Sequence, residues 1–445
     1  MHPVQAQTTK QQSHETLLSS NTQSQMIGTS YSLSNNMRRI AYRLQEGKKQ
    51  VVFVDTLRGA AYDSVSAPVF SPDSRHFAYA AKSGKISYLI VDHKQNLMLD
   101  SNNAVYSIQF SSDNKSLSYI LYDGHNYYMV FHGVKGKPYD LIDENSITFT
   151  ADGTKIAYSV TKNKKQAIVY NDMELPFYKE VGFPVLSNDG SRLAYWAKDG
   201  NVTYLITDGK KSQAFESVGS IQFSKDGKHI SCQATRVGKY MIVLDGKESE
   251  MFQLVHSFTY SPDGNHFVYA MELYSDDKEA FYNYVIQDGV RKGPYETVVQ
   301  GSFKYSNDGT ELVFEAEKED EFFIVKNGIE KAHYSDVMQA SEIFSNNSQH
   351  FAYAAERLDT KRIANIDGVE SRPYDDVYAI VFSPTSNKYV YSVKEGSHEF
   401  VVADGKDGGY YDSILGGGLI FFDSDNAFHY IAMKDKKIFL VEEKF

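Results

Sequence analysis

One cysteine (Cys232), one tryptophan (Trp196) and ten prolines stand in a chain of 445 residues. A single thiol excludes an internal disulfide framework and a cysteine-rich zinc site. Ten prolines and 30 glycines are too few for a collagen-like or wholly disordered chain. No apolar run approaches the roughly 18–20 residues that a bilayer-spanning helix needs. Positive charge is also scarce: 46 basic residues face 57 acidic ones, a net charge of −11. The cationic surplus that drives non-specific nucleic-acid binding is therefore missing. No phosphate loop, dinucleotide fingerprint, HExxH or EF-hand pattern occurs, and nothing in the sequence calls for a cofactor or a metal. The polar opening segment lacks the charged start and roughly 7–15-residue apolar stretch of a signal peptide. The expectation is a soluble protein, cytoplasmic as written, or periplasmic or extracellular if the chain is a processed form.

What the chain does contain is an internal repeat, which decides the fold before any local reading. An apolar residue, Ser, a variable residue, Asp or Asn, often Gly, two polar residues and an apolar–small–Tyr triplet recur throughout. The element reads FSPDSRHFAY from Phe70, FTADGTKIAY from Phe149, LSNDGSRLAY from Leu186 and YSPDGNHFVY from Tyr260. Weaker copies start at Leu33, Phe110, Phe223, Tyr305, Phe344, Phe382 and Phe422. The second position falls at 34, 71, 111, 150, 187, 224, 261, 306, 345, 383 and 423, so eleven copies follow one another at 37–45 residues.

Each period parses into four short strands. Strand a ends in the first apolar residue of the element, as in Ser107-Ile108-Gln109-Phe110. An Asp-Gly-type turn leads into strand b, the apolar–small–Tyr run, whose alternate side chains face opposite sides of a sheet. Strand c is β-branched and aromatic (Tyr204-Leu205-Ile206-Thr207) and ends in a second tight turn such as Asp208-Gly209. Strand d is expected over an aromatic-x-x-Val/Ile motif: Tyr62 to Val65, Tyr139 to Ile142, Phe215 to Val218, Tyr374 to Val377, Tyr411 to Ile414. Four antiparallel strands in about 40 residues make a β-propeller blade. The predicted fold is all-β, a β-propeller of eleven repeats arranged as two rings or as one unusually large ring.

The FSPDG-x-x-[I/F]-A-Y element resembles the WD-repeat-like propeller repeats of the TolB family and of tricorn and prolyl-oligopeptidase-type proteases, over roughly residues 27–445. In the peptidases the resemblance implies a hydrolase domain with a G-x-S-x-G nucleophile elbow. That pentapeptide does not occur here, so no peptidase activity is carried over. Residues 1–26 form a polar tail, too short for the N-terminal domain of TolB-like proteins.

Blade eleven supplies strands a, b and c before the chain stops, leaving strand c with an open edge. Either His14-Glu15-Thr16-Leu17-Leu18 or Ser24-Gln25-Met26-Ile27 is expected to pair there and close the ring. No linker marks a boundary between two rings.

Several residues invite a chemical role and read better as structure. His76, His229, His266 and His350 occupy one repeat position on four different blades, a solvated turn site rather than a ligand set. The Asp of each Ser-x-Asp-Gly is expected to bond its own turn backbone. Cys232 takes the slot of Tyr79 and Tyr195, a buried inert thiol. The acidic run from Glu315 to Glu321 reads as a solvated b–c hairpin.

Recognition is expected instead on the b–c and d–a face, whose connections vary in length: 122–126, 161–165, 272–281, 315–321 and 357–361. The longest carries Tyr274 and Phe281 beside Asp276, Asp277 and Lys278, aromatics among charges, as in an interface anchor with a polar rim. With Trp196, these are the candidate partner-binding residues. The reading is a non-enzymatic scaffold for a protein partner. The alternatives are a small-ligand sensor or enzyme with a central-channel pocket, and a structural subunit of a larger assembly.

Overall fold

The computed structural model describes residues 12–20, 26–99, 103–277 and 279–445. These residues form eleven separate antiparallel sheets, each a blade with strands in the order a, b, c, d. Blade 5 shows the plan. Strand a comes in two pieces, Glu180–Val181 and Val185–Leu186, followed by strand b Leu193–Asp199, strand c Val202–Thr207 and strand d Lys210–Phe215. In strand b, Leu193, Ala194 and Tyr195 are all buried although they alternate faces. Both faces are dry because each blade is packed between two others, and this is why the apolar–small–Tyr run has no polar alternation.

Eleven apolar clusters lie between the blades, one at each junction from blade 1 against blade 2 round to blade 11 against blade 1. The strand b tyrosines fill them: Tyr79, Tyr158, Tyr195 and Tyr353 are 0, 1, 1 and 4% exposed. Each shares its cluster with an aromatic of the preceding blade, Tyr62 and Tyr334 at the end of strand d, Tyr139 and Tyr178 in an isolated bridge just beyond it. The hydroxyls of Tyr334 and Tyr353 lie 3.3 Å apart, and the rings of Tyr411 and Tyr430 meet edge to face at 5.8 Å. Full burial of one such large apolar side chain contributes about 1.5–3 kcal/mol, so each junction is held chiefly by its cluster.

The aromatic-x-x-Val motif is split by the fold, which corrects the expected strand d. Strand d of blade 1 runs Leu57–Tyr62 and ends on the aromatic, while Ser64–Val65 already begins strand a of blade 2. The motif spans a joint, with its aromatic and its valine both buried in the same blade 1–blade 2 cluster.

The last cluster closes the circle. Gln12–Ser19 pairs antiparallel with strand c of blade 11 (Lys437–Lys444), from Gln12 opposite Lys444 to Ser19 opposite Ile438, and so provides the missing strand d. Leu18 then enters a cluster with Ile40, Tyr42, Leu415, Ile431 and Leu440, which joins blade 11 to blade 1. The Tyr411 hydroxyl donates to Glu15 at 2.9 Å, and Arg38 of blade 1 forms ion pairs with Asp423 and Glu442. Met26 and Ile27 belong instead to strand a of blade 1 (Met26–Leu33). The described residues therefore make one ring of eleven blades, and the two-ring arrangement does not occur.

Candidate functional site

The a–b and c–d turns share one face, and there the repeat motif is spent on structure. In blade 5 the Ser187 hydroxyl donates to Asp189 at 2.7 Å, while Ser187 Oγ accepts from the Arg192 amide at 3.0 Å. Asp189 also accepts from the Ser191 amide at 3.0 Å, and these donors, the serine hydroxyl first, pull its carboxyl down to about 2. The c–d turn returns the contact: Asp208 accepts from the Leu193 amide and from Arg192 Nε, both at 3.0 Å. Gly190 completes the turn at φ 61°, where an added Cβ would stand 2.1 Å from Thr150 Cγ2 of the blade before it. Glycine is required there by close approach as well as by conformation.

The four histidines take the place of Arg192 in this scheme. His76, His229, His266 and His350 each set Nδ1 at 2.6–2.7 Å from the c–d aspartate of their own blade: Asp92, Asp245, Asp288 and Asp367. They do not converge, and among the described residues no group of three His, Cys, Asp or Glu side chains is placed to hold a metal ion. Cys232 is fully buried, and desolvation pushes its thiol up to about 12, out of reach of thiolate chemistry.

The opposite face is built differently. Strand d of one blade and strand a of the next are joined by one residue, such as Asp63, Asp140, Glu216, Glu296 or Asp375. The expectation that d–a connections vary in length is therefore corrected: at the described joints, variation belongs to the b–c hairpins alone. The joint carboxylates hold those hairpins. Asp63 accepts from the Gly84 amide at 2.5 Å, Asp140 from Asn163 at 2.7 Å, and Glu296 from Glu319 at 2.9 Å. Glu216 accepts from Val237 and Gly238 at 2.8 and 3.0 Å. A carboxylate clamp of this kind fixes the base of a turn and leaves its tip free to differ.

Blade 7 departs furthest. Its strands b and c, Phe267–Ser275 and Ala280–Gln287, have 9 and 8 residues against 7 and 6 in blade 5, so the hairpin projects beyond its neighbours. Tyr274 lies directly opposite Phe281, with ring centroids 5.0 Å apart and planes at 65°. The pair is 52% and 48% exposed. Such an edge-to-face pair stiffens a hairpin tip that would otherwise fray. Asp276, Asp277 and Glu279 are exposed beside it, and Lys278 lies outside the described residues. The next turn, in blade 8, adds exposed Glu319 and Asp320, whereas the tips of blades 2, 4 and 6 expose Lys85, Lys164 and Lys239. The face is thus anionic around blades 7 and 8, while single lysines mark the tips of blades 2, 4 and 6. Val237 and Leu358 are further exposed apolar tips, at 80% and 75%.

Trp196 is not part of this group. It sits on strand b of blade 5, packed on the blade 5–blade 6 cluster and over Gly182, where a Cβ would fall 2.1 Å from its indole nitrogen. The structure thus brings Tyr274, Phe281, Asp276 and Asp277 together and leaves Trp196 half-buried in the wall.

The acidic run also divides. Glu317 to Glu321 forms the hairpin, but Glu315 points into the blade 8–blade 9 junction, 2% exposed, near Glu342 at 4%. Burial, then the charges of Glu342 and Asp336, pushes Glu315 up to about 8. A lone charge inside an otherwise apolar strand b was the available signal, and the run of acids around it hid it.

No family model matches the chain, and no curated protein matches it. Solved structures similar to it include a eukaryotic initiation factor, at 12% identity and TM-score 0.39, covering 76% of this chain and 96% of that one. The propeller domain of the Trilobed protease from Pyrococcus furiosus shares 16% identity over 59% of this chain and 96% of its own, with TM-score 0.31. TolB from Acinetobacter baumannii shares 14% identity over 67% and 78%, with TM-score 0.26. At these levels of similarity none assigns a function to this chain.

Proposed function

We propose that the protein is a non-enzymatic scaffold that binds a protein partner through the b–c face, with the blade 7 hairpin as its anchor. The observation that carries this is the exposed Tyr274–Phe281 pair at the tip of the longest hairpin. Exposed aromatics usually lose free energy to water, and pairing them across a projecting tip keeps them rigid and available. The carboxylates beside them suit a partner whose matching surface is cationic. The rigid ring supports this reading because carboxylate clamps fix the hairpin bases of blades 2, 4, 6, 8 and 10 without contributing to the tips.

The test replaces 274–281 with the short Lys82-Ser83-Gly84-Lys85 connection of blade 2, and separately makes Tyr274→Ala/Phe281→Ala in the full chain. Pull-downs with wild type and both variants are compared by mass spectrometry. Loss of the same partner from both variants, with an unchanged melting transition, is the expected result. Retention of every partner by both folded variants overturns the assignment.

A further inference from the structure

A cleft of about 370 Å³ opens between blades 6 and 7 on the a–b and c–d face, away from the blade 7 hairpin tip. Its walls are Ile242 and Leu244 from blade 6 and Phe267, Tyr269 and Ile286 from blade 7, with His229, His266, Glu248 and Asp288 at the rim. The volume falls in the range of roughly 300–1,000 Å³ typical of small-molecule sites.

The ring itself shows what such a cleft accepts, because its junctions are repeats of one another. Between blades 1 and 2 the corresponding walls are Val52, Val54, Phe77, Tyr79 and Ile90. Asp92 accepts from the Phe77 amide as Asp288 accepts from Phe267, so His93 stands where blade 7 has Gly289. The His93 imidazole fills that junction. It meets Phe77 edge-on at 4.8 Å and 70°, and Tyr79 at 6.4 Å and 72°. It also lies over Gly59, where a Cβ would come 2.6 Å from Nδ1. Tyr79 is 0% exposed beneath it and Tyr269 is partly exposed, whereas Tyr195 and Tyr353, which also have glycine at this turn position, are closed over by other neighbours at 1% and 4%, so the blade 6–blade 7 junction is the one left open. In blade 6 the Gly59 position is Ser249, whose Oγ is engaged with the Ile242 amide at 3.0 Å and the Glu250 carbonyl at 2.7 Å. A ring entering there is displaced off Ser249 towards Phe267 and Tyr269.

We infer that the blade 6–blade 7 cleft binds a flat nitrogen heteroaromatic ring, which stacks edge-on against Phe267 and Tyr269 and turns its polar edge to the rim. This site is independent of the hairpin reading, and the two can fail separately. The experiment is saturation-transfer NMR on the full chain with indole and benzimidazole as probes, and with N-acetyl-tryptophanamide to represent a side chain. Gly289→His with Ser249→Gly rebuilds the blade 2 arrangement in the open cleft; His93 itself adopts φ 60°, so a histidine is tolerated at this turn position. Wild type is expected to saturate the ring protons, and the double variant to reduce the effect at least tenfold. Uptake of indole with exclusion of the capped amide identifies a free compound as the ligand, and uptake of both identifies a site that also takes side chains. A second variant, His93→Gly, opens the matching cleft in blade 2 and is expected to raise the stoichiometry in equilibrium dialysis from one ring to two. No saturation by wild type, equal saturation of the folded double variant, or an unchanged stoichiometry in His93→Gly overturns the proposal.

Discussion

The two faces of this ring spend similar residues in opposite ways. On the a–b and c–d face, polar side chains tie one blade to the next. Asn188 donates to the Lys225 carbonyl at 3.1 Å, Asn307 to Ser345 at 3.0 Å, and Arg192 Nη1 to Gly227 and Lys228 at 3.0 and 2.9 Å. On the b–c face, joint carboxylates hold the base of the hairpin they lead into, as Asp63 does with the Gly84 amide, and pair besides with an exposed lysine of the blade before, as Asp63 does with Lys49 at 2.7 Å. The first pattern locks blades to each other and so forces the motif to repeat. The second fixes the base of a hairpin and lets its tip change length and chemistry. A scaffold that must keep its shape while presenting varied loops needs both, on different sides.

Four substitutions would break or sharpen this comparison, from the largest effect to the smallest. Both faces hang from the same junctions, so Tyr158→Ala, which empties a fully packed interior, is expected to cost about 2–5 kcal/mol in chemical denaturation. A cost below about 0.5 kcal/mol would mean that the strand b tyrosines do not hold the ring. On the locked face, Asp189→Ala leaves the Ser187 hydroxyl and the Ser191 amide without their acceptor, and should lower the urea midpoint by less than Tyr158→Ala does.

Midway between the faces, Glu315 titrates near 8 in the fold against roughly 4.3 in the unfolded chain. The folded state therefore holds the proton more tightly, and this group's contribution to stability is lost as pH rises from about 5 to about 8. Glu315→Gln should remove a slope of at most about 1.4 kcal/mol per pH unit, read from unfolding midpoints across that range. An unchanged pH profile would place Glu315 in water. Smallest is the shortened blade 7 hairpin, expected to shift stability by no more than about 0.5 kcal/mol. A larger loss would show that the hairpin tip carries structural weight and that the two faces are less distinct than their bonding suggests.

Much of this was legible in the sequence because the repeat writes strand and turn chemistry locally. Asp189, Gly190 and the apolar–small–Tyr run at Leu193 act within a few residues of one another, so spacing alone reveals them. What stayed hidden depends on partners far along the chain. The aromatic-x-x-Val motif looks like one strand because Tyr62 and Val65 are both buried, yet they are buried from two blades. The clamp from Asp63 to Gly84 spans 21 residues and has no local signature. Glu315 resembles its solvated neighbours until blade 9 is placed against it. His93 differs from the usual turn glycine by one residue in one repeat, and its role as a cover appears only when junctions are compared in space. Ring number was undetermined for the same reason, since Leu18 declares its position only beside Ile40 and Ile431.

The borrowed strand gives the ring a schedule. Each junction from blade 1 to blade 10 joins segments made within a few dozen residues of each other, and can form as the chain emerges. Among the described strands of the ring Gln12–Ser19 is the first to be made, and its partner Lys437–Lys444 is the last. Until then the early segment has no sheet to join, and strand c of blade 11 has no outer neighbour. Chain-entropy cost grows only logarithmically with loop length, and ten assembled blades curve the two ends towards each other. Joining the ends is therefore cheap once the rest stands and impossible before it, so the final clasp also certifies that every preceding blade is in place.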